Sequence, residues 1–253
     1  MGVGIFTPKK INLVTHEEIM NSSLSDQTSV KDFLSHGLCP YLTDQQSVVY
    51  AFFVKKVKPA VYEKIISSGF RRNGFYFYQN LCPNCGRCIP IRVDVQRFRP
   101  SKSQRRIFRK NRDVTILRHP AAFDPEAFLL YKKYCTSRHN NSETEEDYTR
   151  FLIESPIHTE MMRYYAGKHL IGIGWTDLLP DSLSSVYFAF DPEYSSRSPG
   201  VFSLLKELEL CRELKKKWLH LGFWIKDNRK MSYKNQYKPC QILTNGVWLE
   251  LSD

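Results

Sequence analysis

Cys82, Cys85 and Cys88 stand at C-x2-C-x2-C spacing, and a dense run of arginine and lysine follows at once. Two intervening residues let neighbouring thiolates face one point, the usual knuckle for tetrahedral metal coordination, and Pro83 and Gly86 suit the tight turn. A closed site needs a fourth ligand. Cys39, in its own Cys-Pro turn, is the best candidate, because Cys135, Cys211 and Cys240 lie in helix-like or terminal contexts. Zinc and an iron–sulfur cluster are both compatible with four thiolates; the plain alternative is a set of free surface thiols. Seven cysteines is an odd number for a disulfide scaffold, so a reducing compartment and a metal site are expected.

The basic run has its own chemistry. From Arg92 to Asp113 nine basic residues stand against two acids, and this stretch carries most of the net charge of +11. Such focusing favours a polyanionic partner, nucleic acid before membrane headgroups. Pro100-Ser101 opens a helix to about Asn111 with Ser101 as N-cap. Lys102, Arg105, Arg106 and Arg109 then fall at i, i+3, i+4 and i+7 on one face, and Lys110 and Arg112 extend it. Like charges at that spacing destabilise an isolated helix, so a phosphate backbone held bidentately by guanidinium groups is the expected partner. A solvated surface helix is the competing reading, but the acids that would pair with these bases are missing.

The elements that must position these groups follow from pattern. Hydrophobic residues make up 42% of 253 positions, enough for one large domain or two small ones. Val48–Val54 reads as a buried strand, and Pro59 opens a helix through Ser67 that Gly69 stops. Asn73-Gly74 turns into a strand at 75–78; Ile91, Val93 and Val95 alternate with polar residues as a half-exposed strand. After a strand at 114–117 come helices at 125–134 and 148–153, then antiparallel strands at 161–165, 170–177 and 185–190. An amphipathic helix at 201–217, a strand at 218–225, a short helix or turn at 230–238 and a strand at 241–249 complete the chain. Residues 1–30 are polar and aperiodic and read as a flexible leader. Met1–Lys10 has no apolar signal-peptide region, and no apolar run approaches the ~18 residues of a membrane span, so no membrane attachment is expected.

The stretch from Tyr187 through Asp191, Arg197 and Gly200 to Ser203, followed by helix and strand, resembles the core of the GNAT acyltransferase fold. That family's phosphate loop runs Arg/Gln-x-x-Gly-x-Gly/Ala, and Arg197-x-x-Gly200 matches its first half. Phe202 stands where a small residue should be and would crowd a CoA pyrophosphate, so CoA is not expected. No His-Glu-x-x-His, G-x-S-x-G or Walker motif is present. Arg71 and Arg72, after a helix-ending glycine, are either surface residues or a carboxylate clamp.

Together, Cys39-Pro-Tyr-Leu, Gly69-Phe-Arg-Arg-Asn-Gly74, Cys82-Pro-x-Cys-x-x-Cys-Ile-Pro-Ile-Arg-Val-Asp-Val, Phe98-Arg-Pro-Ser-Lys-Ser-Gln-Arg-Arg and Lys230-Met-Ser-Tyr-Lys234 resemble the aminoacyl-tRNA–protein transferases of the N-degron pathway. The likeness runs from about Cys39 to Leu251 and is specifically to the bacterial branch that leucylates N-terminal Asp and Glu; eukaryotic relatives attach arginine. It departs at Ser198-Pro-Gly-Val-Phe-Ser203, where Leu-Gly-Thr is expected in place of Pro-Gly-Val. The resemblance implies an α+β architecture: a cysteine-bearing and tRNA-docking N-terminal α/β domain at 31–120, and a GNAT-like transferase domain at 121–253. It implies a cytoplasmic enzyme, expected to be a monomer, with aminoacyl-tRNA as donor and proteins beginning with Asp or Glu as acceptors. Some eukaryotic members carry an iron–sulfur cluster, and their second N-terminal cysteine corresponds to Leu42 here.

The chemistry needs no nucleophile triad. Aminoacyl-tRNA is an activated ester, and an α-amine of pKa about 7.7–8.0 is on the order of a tenth neutral at pH 7. Positioning can supply roughly 7–11 kcal/mol of the barrier. The expectation is that Asp191 holds or deprotonates the acceptor amine while Tyr187 seats the aminoacyl group. Ser203, Lys230, Tyr233 and Lys234 are expected in the substrate site, with Arg71 and Arg72 on the acceptor's acidic side chain. Two other classes compete: a CoA-dependent GNAT acetyltransferase and a non-catalytic zinc-knuckle RNA-binding protein. The same transfer with arginine as donor is the nearer alternative.

Overall fold

The computed structural model describes residues 31–139 and 143–252; the leader read at 1–30 lies outside them. The fold is a mixed α/β arrangement of two sheets. The smaller is antiparallel, in the order β1 (Asp32–Leu38), β2 (Gln46–Phe53), β4 (Tyr76–Asn80), β3 (Arg71–Asn73). Helix α1 (Pro59–Ser67) covers it, burying Tyr62, Ile65 and Ile66 against Phe52, Phe70 and Phe77. Pro59 opens this helix because its fixed φ suits the first turn, where its missing N–H leaves no bond unmade. The sequence pattern did not foresee β1, whose residues are all exposed and carry no buried stripe to read.

The larger sheet has eight strands in the order β12 (Val247–Glu250), β11 (Cys240–Thr244), β5 (Ile89–Asp94), β10 (Trp218–Trp224), β9 (Ser182–Phe190), β8 (His169–Leu178), β7 (Thr159–Ala166), β6 (Val114–Pro120). Strands β5 and β6 thus pair with strands far downstream, so the boundary expected near residue 120 does not follow the sheets. The single strand expected at 241–249 is instead a hairpin, turned at Asn245-Gly246, where both residues take positive φ. One face of this sheet packs on α5 (Pro199–Glu213), where Leu204, Leu205, Leu208 and Cys211 meet Ile91, Val93 and Leu219. The helices α3 (Pro125–His139) and α4 (Glu145–Tyr148) pack a second core of Tyr131, Tyr148, Ile173 and Trp175. The basic helix α2 (Lys102–Lys110) begins with a capping box, in which Ser101 Oγ accepts from the Gln104 amide and Gln104 Oε1 from the Ser101 amide. Among the described residues no helix is long and apolar enough to cross a membrane.

The two sheets are joined by buried polar contacts. Arg72 on β3 forms a fully buried bidentate pair with Asp177 on β8, Nε to Oδ2 at 2.8 Å and Nη2 to Oδ1 at 2.9 Å. Tyr62 donates to the same carboxylate at 2.6 Å and Thr159 at 2.5 Å, so each Asp177 oxygen has two donors. At the other end the Trp248 indole donates to the Ser67 carbonyl, and the Arg92 guanidinium lies between the rings of Trp218 and Trp248, 3.8 and 4.2 Å from their centroids. Breaking a buried pair by removing one partner costs roughly 3–5 kcal/mol, because the other charge stays buried and uncompensated. Arg72→Met is therefore expected to lower the free energy of unfolding by about that amount in urea titrations.

Candidate active site

Strands β9 and β10 run parallel and pair over only three residues, Trp218↔Ser182, Leu219↔Leu183 and His220↔Ser184. Beyond these the two separate. β10 carries an irregularity between His220 and Gly222, and the β8–β9 ladder carries one between Trp175 and Thr176; such bulges bend a strand and end its pairing. Into the opening comes Arg71 from the smaller sheet. Its Nη1 donates to Ser184 Oγ at 3.0 Å and its Nη2 to the Ser185 carbonyl at 2.5 Å, both on β9. On β10 it lies against Gly222, where φ is +83° and a Cβ would stand 3.0 Å from Arg71 Nε. Glycine is thus required there twice over, by the backbone conformation and by the guanidinium. Arg71 is 8% exposed and, among the described residues, in ion-pair contact with no carboxylate.

Three further groups gather round this opening. Lys234, in the short 3-10 turn Ser232–Gln236, is buried and donates from Nζ to the Phe223 carbonyl at 2.7 Å. Burial and the Arg71 charge push its ammonium down to about 7, against a smaller opposing effect of Cys88. Glu207 on α5 is wholly buried; its Oε1 accepts from Ser185 Oγ at 3.2 Å, and among the described residues its Oε2 has no partner. Burial raises this carboxyl to about 8, although Ser185 and Arg71 pull the other way. Tyr233 keeps 37% of its surface exposed, yet the protein around it pushes its phenol up to about 12, with Glu207 and Tyr134 adding to the shift. Arg71, Lys234 and Tyr233 are thus brought together as expected. Glu207 was missed. A glutamate within an amphipathic helix reads as solvent-facing, but its position three after Leu204, four after Ser203 and four before Cys211 puts it in the apolar face, and that break of pattern was the available signal.

Other expected site residues have different duties here. Arg72 cannot serve as an acceptor clamp, because Asp177 and the carbonyls of Gly74 and Glu154 already take its donors. Asp191 caps the turn Pro192–Arg197, accepting from the Glu193 amide at 3.0 Å, and is paired with Lys133 at 2.8 Å. Both its oxygens are engaged, so it does not stand as a free base. Tyr187 packs against Tyr131, Tyr134 and Phe151 and is hydrogen-bonded to Cys135, the aromatic strand-core role. Ser203 is buried and donates back to the Gly200 carbonyl within its own helix. Lys230 is exposed beside the Tyr233 turn, its amide held by Asn228 Oδ1.

The four cysteines Cys39, Cys82, Cys85 and Cys88 lie near enough that Cys82, Cys39 and Cys85 all add to the effect of burial, which drives the Cys88 thiol up to about 12. Even so, among the described residues no three His, Cys, Asp or Glu side chains are placed to hold a metal ion. The six basic residues expected on the tRNA form a second group. Lys102, Arg105, Arg106, Arg109, Lys110 and Arg112 are all exposed, and among the described residues no carboxylate lies in ion-pair distance of any of them. The nearest acid, Asp113, is paired instead with Arg197 at 2.8 Å. Lys110 Nζ donates to the Ser196 carbonyl and Asn111 Nδ2 to the Arg197 carbonyl, which staples α2 to the turn that opens α5.

Buried Arg71, Lys234 with its ammonium pushed down to about 7 and buried Glu207 thus gather at the mouth of two separating parallel strands, and α2 adds an exposed basic face stapled to the turn before α5. Comparison with known proteins gives the class that carries these parts. A family model described as arginine-tRNA-protein transferase, C terminus, matches residues 126–244, and its N-terminus counterpart matches residues 37–106. An aspartate/glutamate leucyltransferase of Alcanivorax borkumensis is 39% identical over 91% of this chain and 98% of its own, and one of Shewanella putrefaciens is 39% identical over 83% and 91%. Among solved structures FemX aligns at a TM-score of 0.46 and 9% identity, covering 79% of this chain and 82% of its own, too low to assign a shared fold. The chain belongs to the aminoacyl-tRNA–protein transferase family.

The depressed Lys234 ammonium has a signed consequence for stability. Its folded value of about 7 lies below an unfolded value near 10.4. Between the two the unfolded chain holds the proton and the native chain does not. The contribution is thus fully present above the unfolded value and lost as pH falls through about 7. Urea unfolding of the wild type against Lys234→Met should show the wild type gaining on the variant from pH 7 to 10, with a slope approaching ~1.4 kcal/mol per pH unit.

Proposed function

We propose that this chain transfers leucine from leucyl-tRNA to the N-terminal α-amine of proteins that begin with Asp or Glu. The observation that carries the reading is Arg71: a permanently charged guanidinium, buried in the opening between β9 and β10, with a hydroxyl and a carbonyl as partners but no anion. A buried charge is tolerated when a counter-charge completes it, and the acidic side chain of the acceptor supplies one bidentately. With that carboxylate on Arg71, the acceptor amine lies beside Lys234. The amine attacks the ester carbonyl, the new C–N bond forms, and the ester C–O bond breaks as the tRNA hydroxyl leaves. Lys234, near half-neutral at pH 7, takes the proton from the nitrogen and returns it to the departing oxygen.

The exposed, unpaired face of α2 grips the tRNA backbone, and the separating parallel strands β9 and β10 support the GNAT-like reading of the transferase part. Aminoacyl-tRNA brings its own activated ester, so the transfer needs no CoA. The reading puts the chain in the cytoplasm, where charged tRNA is made, and works in a monomer because every residue invoked comes from one chain. Arginine as the transferred residue is the second reading. It draws on the description of the matching family model and on Glu207, a buried carboxyl that a guanidinium could pair with.

Purified protein offered labelled leucyl-tRNA or arginyl-tRNA and peptides beginning with Asp, Glu or Ala tests the reading directly; leucine on the acidic peptides is the expected product. Arg71→Gln should raise the acceptor KM about 10- to 100-fold, the loss of a charge-assisted pair, while the tRNA KM stays unchanged. Reversing Arg105, Arg106 and Arg109 to Glu should do the opposite, raising the tRNA KM and flattening its log–log salt slope by about 2–3.

A further inference from the structure

On the α5 side of the larger sheet Glu207 Oε2, Thr176 Oγ1 and the Tyr237 hydroxyl are buried without a hydrogen-bond partner among the described residues. They belong to one locality. Thr176 faces Ser185 in the β8–β9 register, and Ser185 Oγ donates to Glu207 Oε1 at 3.2 Å. Burial first, then Tyr233 and Glu207, push the Tyr237 phenol up. Glu207 and Thr176 are wholly buried and Tyr237 is 1% exposed. Ser185 from β9 is hydrogen-bonded to Glu207, and the groups coupled to it electrostatically are Tyr164 from β7, Tyr233 and Tyr237 from the segment after β10, Cys211 from its own helix and Arg71 from β3. Arg71 pulls on the carboxyl from a distance, but its own hydrogen bonds go to β9, so none of these groups forms an ion pair with Glu207.

Buried polar atoms in native structures almost always have partners, and a cluster without them marks the place of a missing one. The cluster defines that partner. One carboxylate and two hydroxyls offer acceptors, and an ammonium group has three N–H donors and no acceptor. We infer that Glu207, with Thr176 and Tyr237, forms the subsite for the α-ammonium of the aminoacyl group being transferred. The inference rests on the transfer reading above and assigns the cation to the donor for a chemical reason. A carboxylate favours the protonated form of a neighbouring amine, which would silence an attacking acceptor. On the donor the same effect is useful, because a protonated donor amine cannot attack a second ester. The elevated Glu207 carboxyl fits this role, since an ammonium would stabilise its ionised form on binding.

The experiment compares leucyl-tRNA with N-acetyl-leucyl-tRNA as donor, with an Asp-initiated peptide as acceptor. The wild type should show a donor KM about 10- to 100-fold higher for the acetylated form, as expected for loss of a charge-assisted hydrogen bond. Glu207→Gln should raise the leucyl-tRNA KM by a similar factor, leave the peptide KM unchanged and erase the preference for a free amine. A Glu207→Gln enzyme that keeps the wild-type preference, shifts only the peptide KM, or loses only arginyl-tRNA would overturn the inference. Should thermal unfolding show that variant unfolded, Tyr237→Phe gives the same readout, with the preference reduced about 3- to 10-fold; an unchanged preference there overturns it equally. A wild type that uses both donors alike sinks this inference alone. A wild type that transfers neither leucine nor arginine sinks the transfer reading as well.

Discussion

Two adjacent arginines on one short strand hold this molecule together, and strand geometry makes them do different things. Side chains alternate across a strand, so Arg71 and Arg72 leave β3 in opposite directions. Arg72 ends on Asp177, where a tyrosine and a threonine complete the carboxylate's hydrogen bonds. That pair fixes the smaller sheet against the larger one, and the larger sheet then receives Arg71 in the opening of β9 and β10. The position of Arg71 has little to do with its own chain neighbours. It follows from the lock one residue away, from the bulges that part the strands, and from a glycine that leaves room for a guanidinium.

The same economy links the basic surface to the interior. Helix α2 is stapled through Lys110 and Asn111 to the turn before α5, and Arg197 of that turn reaches back to Asp113. α5 in turn carries Glu207 under the opening. A polyanion lying on α2 is thus one rigid element away from the buried carboxyl, with no long loop between them. Asp191 contributes by holding this turn to α3 through Lys133, a structural duty at some remove from the acid–base role its sequence context invites.

Much of the fold could be read from residues alone because local signals agreed with tertiary fate. The helix opened by Pro59, the N-cap at Ser101 and the antiparallel strands between 161 and 190 are of this kind. What could not be read depended on partners distant in sequence. Period-two alternation says that Arg71 and Arg72 diverge, but not which meets Asp177. Knuckle spacing gathers Cys82, Cys85 and Cys88, but nothing local to them says that Cys39 lies close enough to act on Cys88. Glu207 failed for the opposite reason: its place in the apolar face was legible, but habit reads a helical glutamate as solvent-facing.

The central place of β5 has a further consequence. Its two neighbours, β10 and β11, lie more than a hundred residues downstream, beginning at Trp218 and Cys240. On a ribosome moving at about 5–20 residues per second, Ile91, Val93 and Val95 therefore wait roughly 6–25 s with both strand edges open before a partner emerges. Long-range strand pairing of this kind slows folding and leaves an adhesive intermediate. Until Trp218 emerges, β5 is an apolar strand without its partners, and the middle of the larger sheet is the last part of it to close.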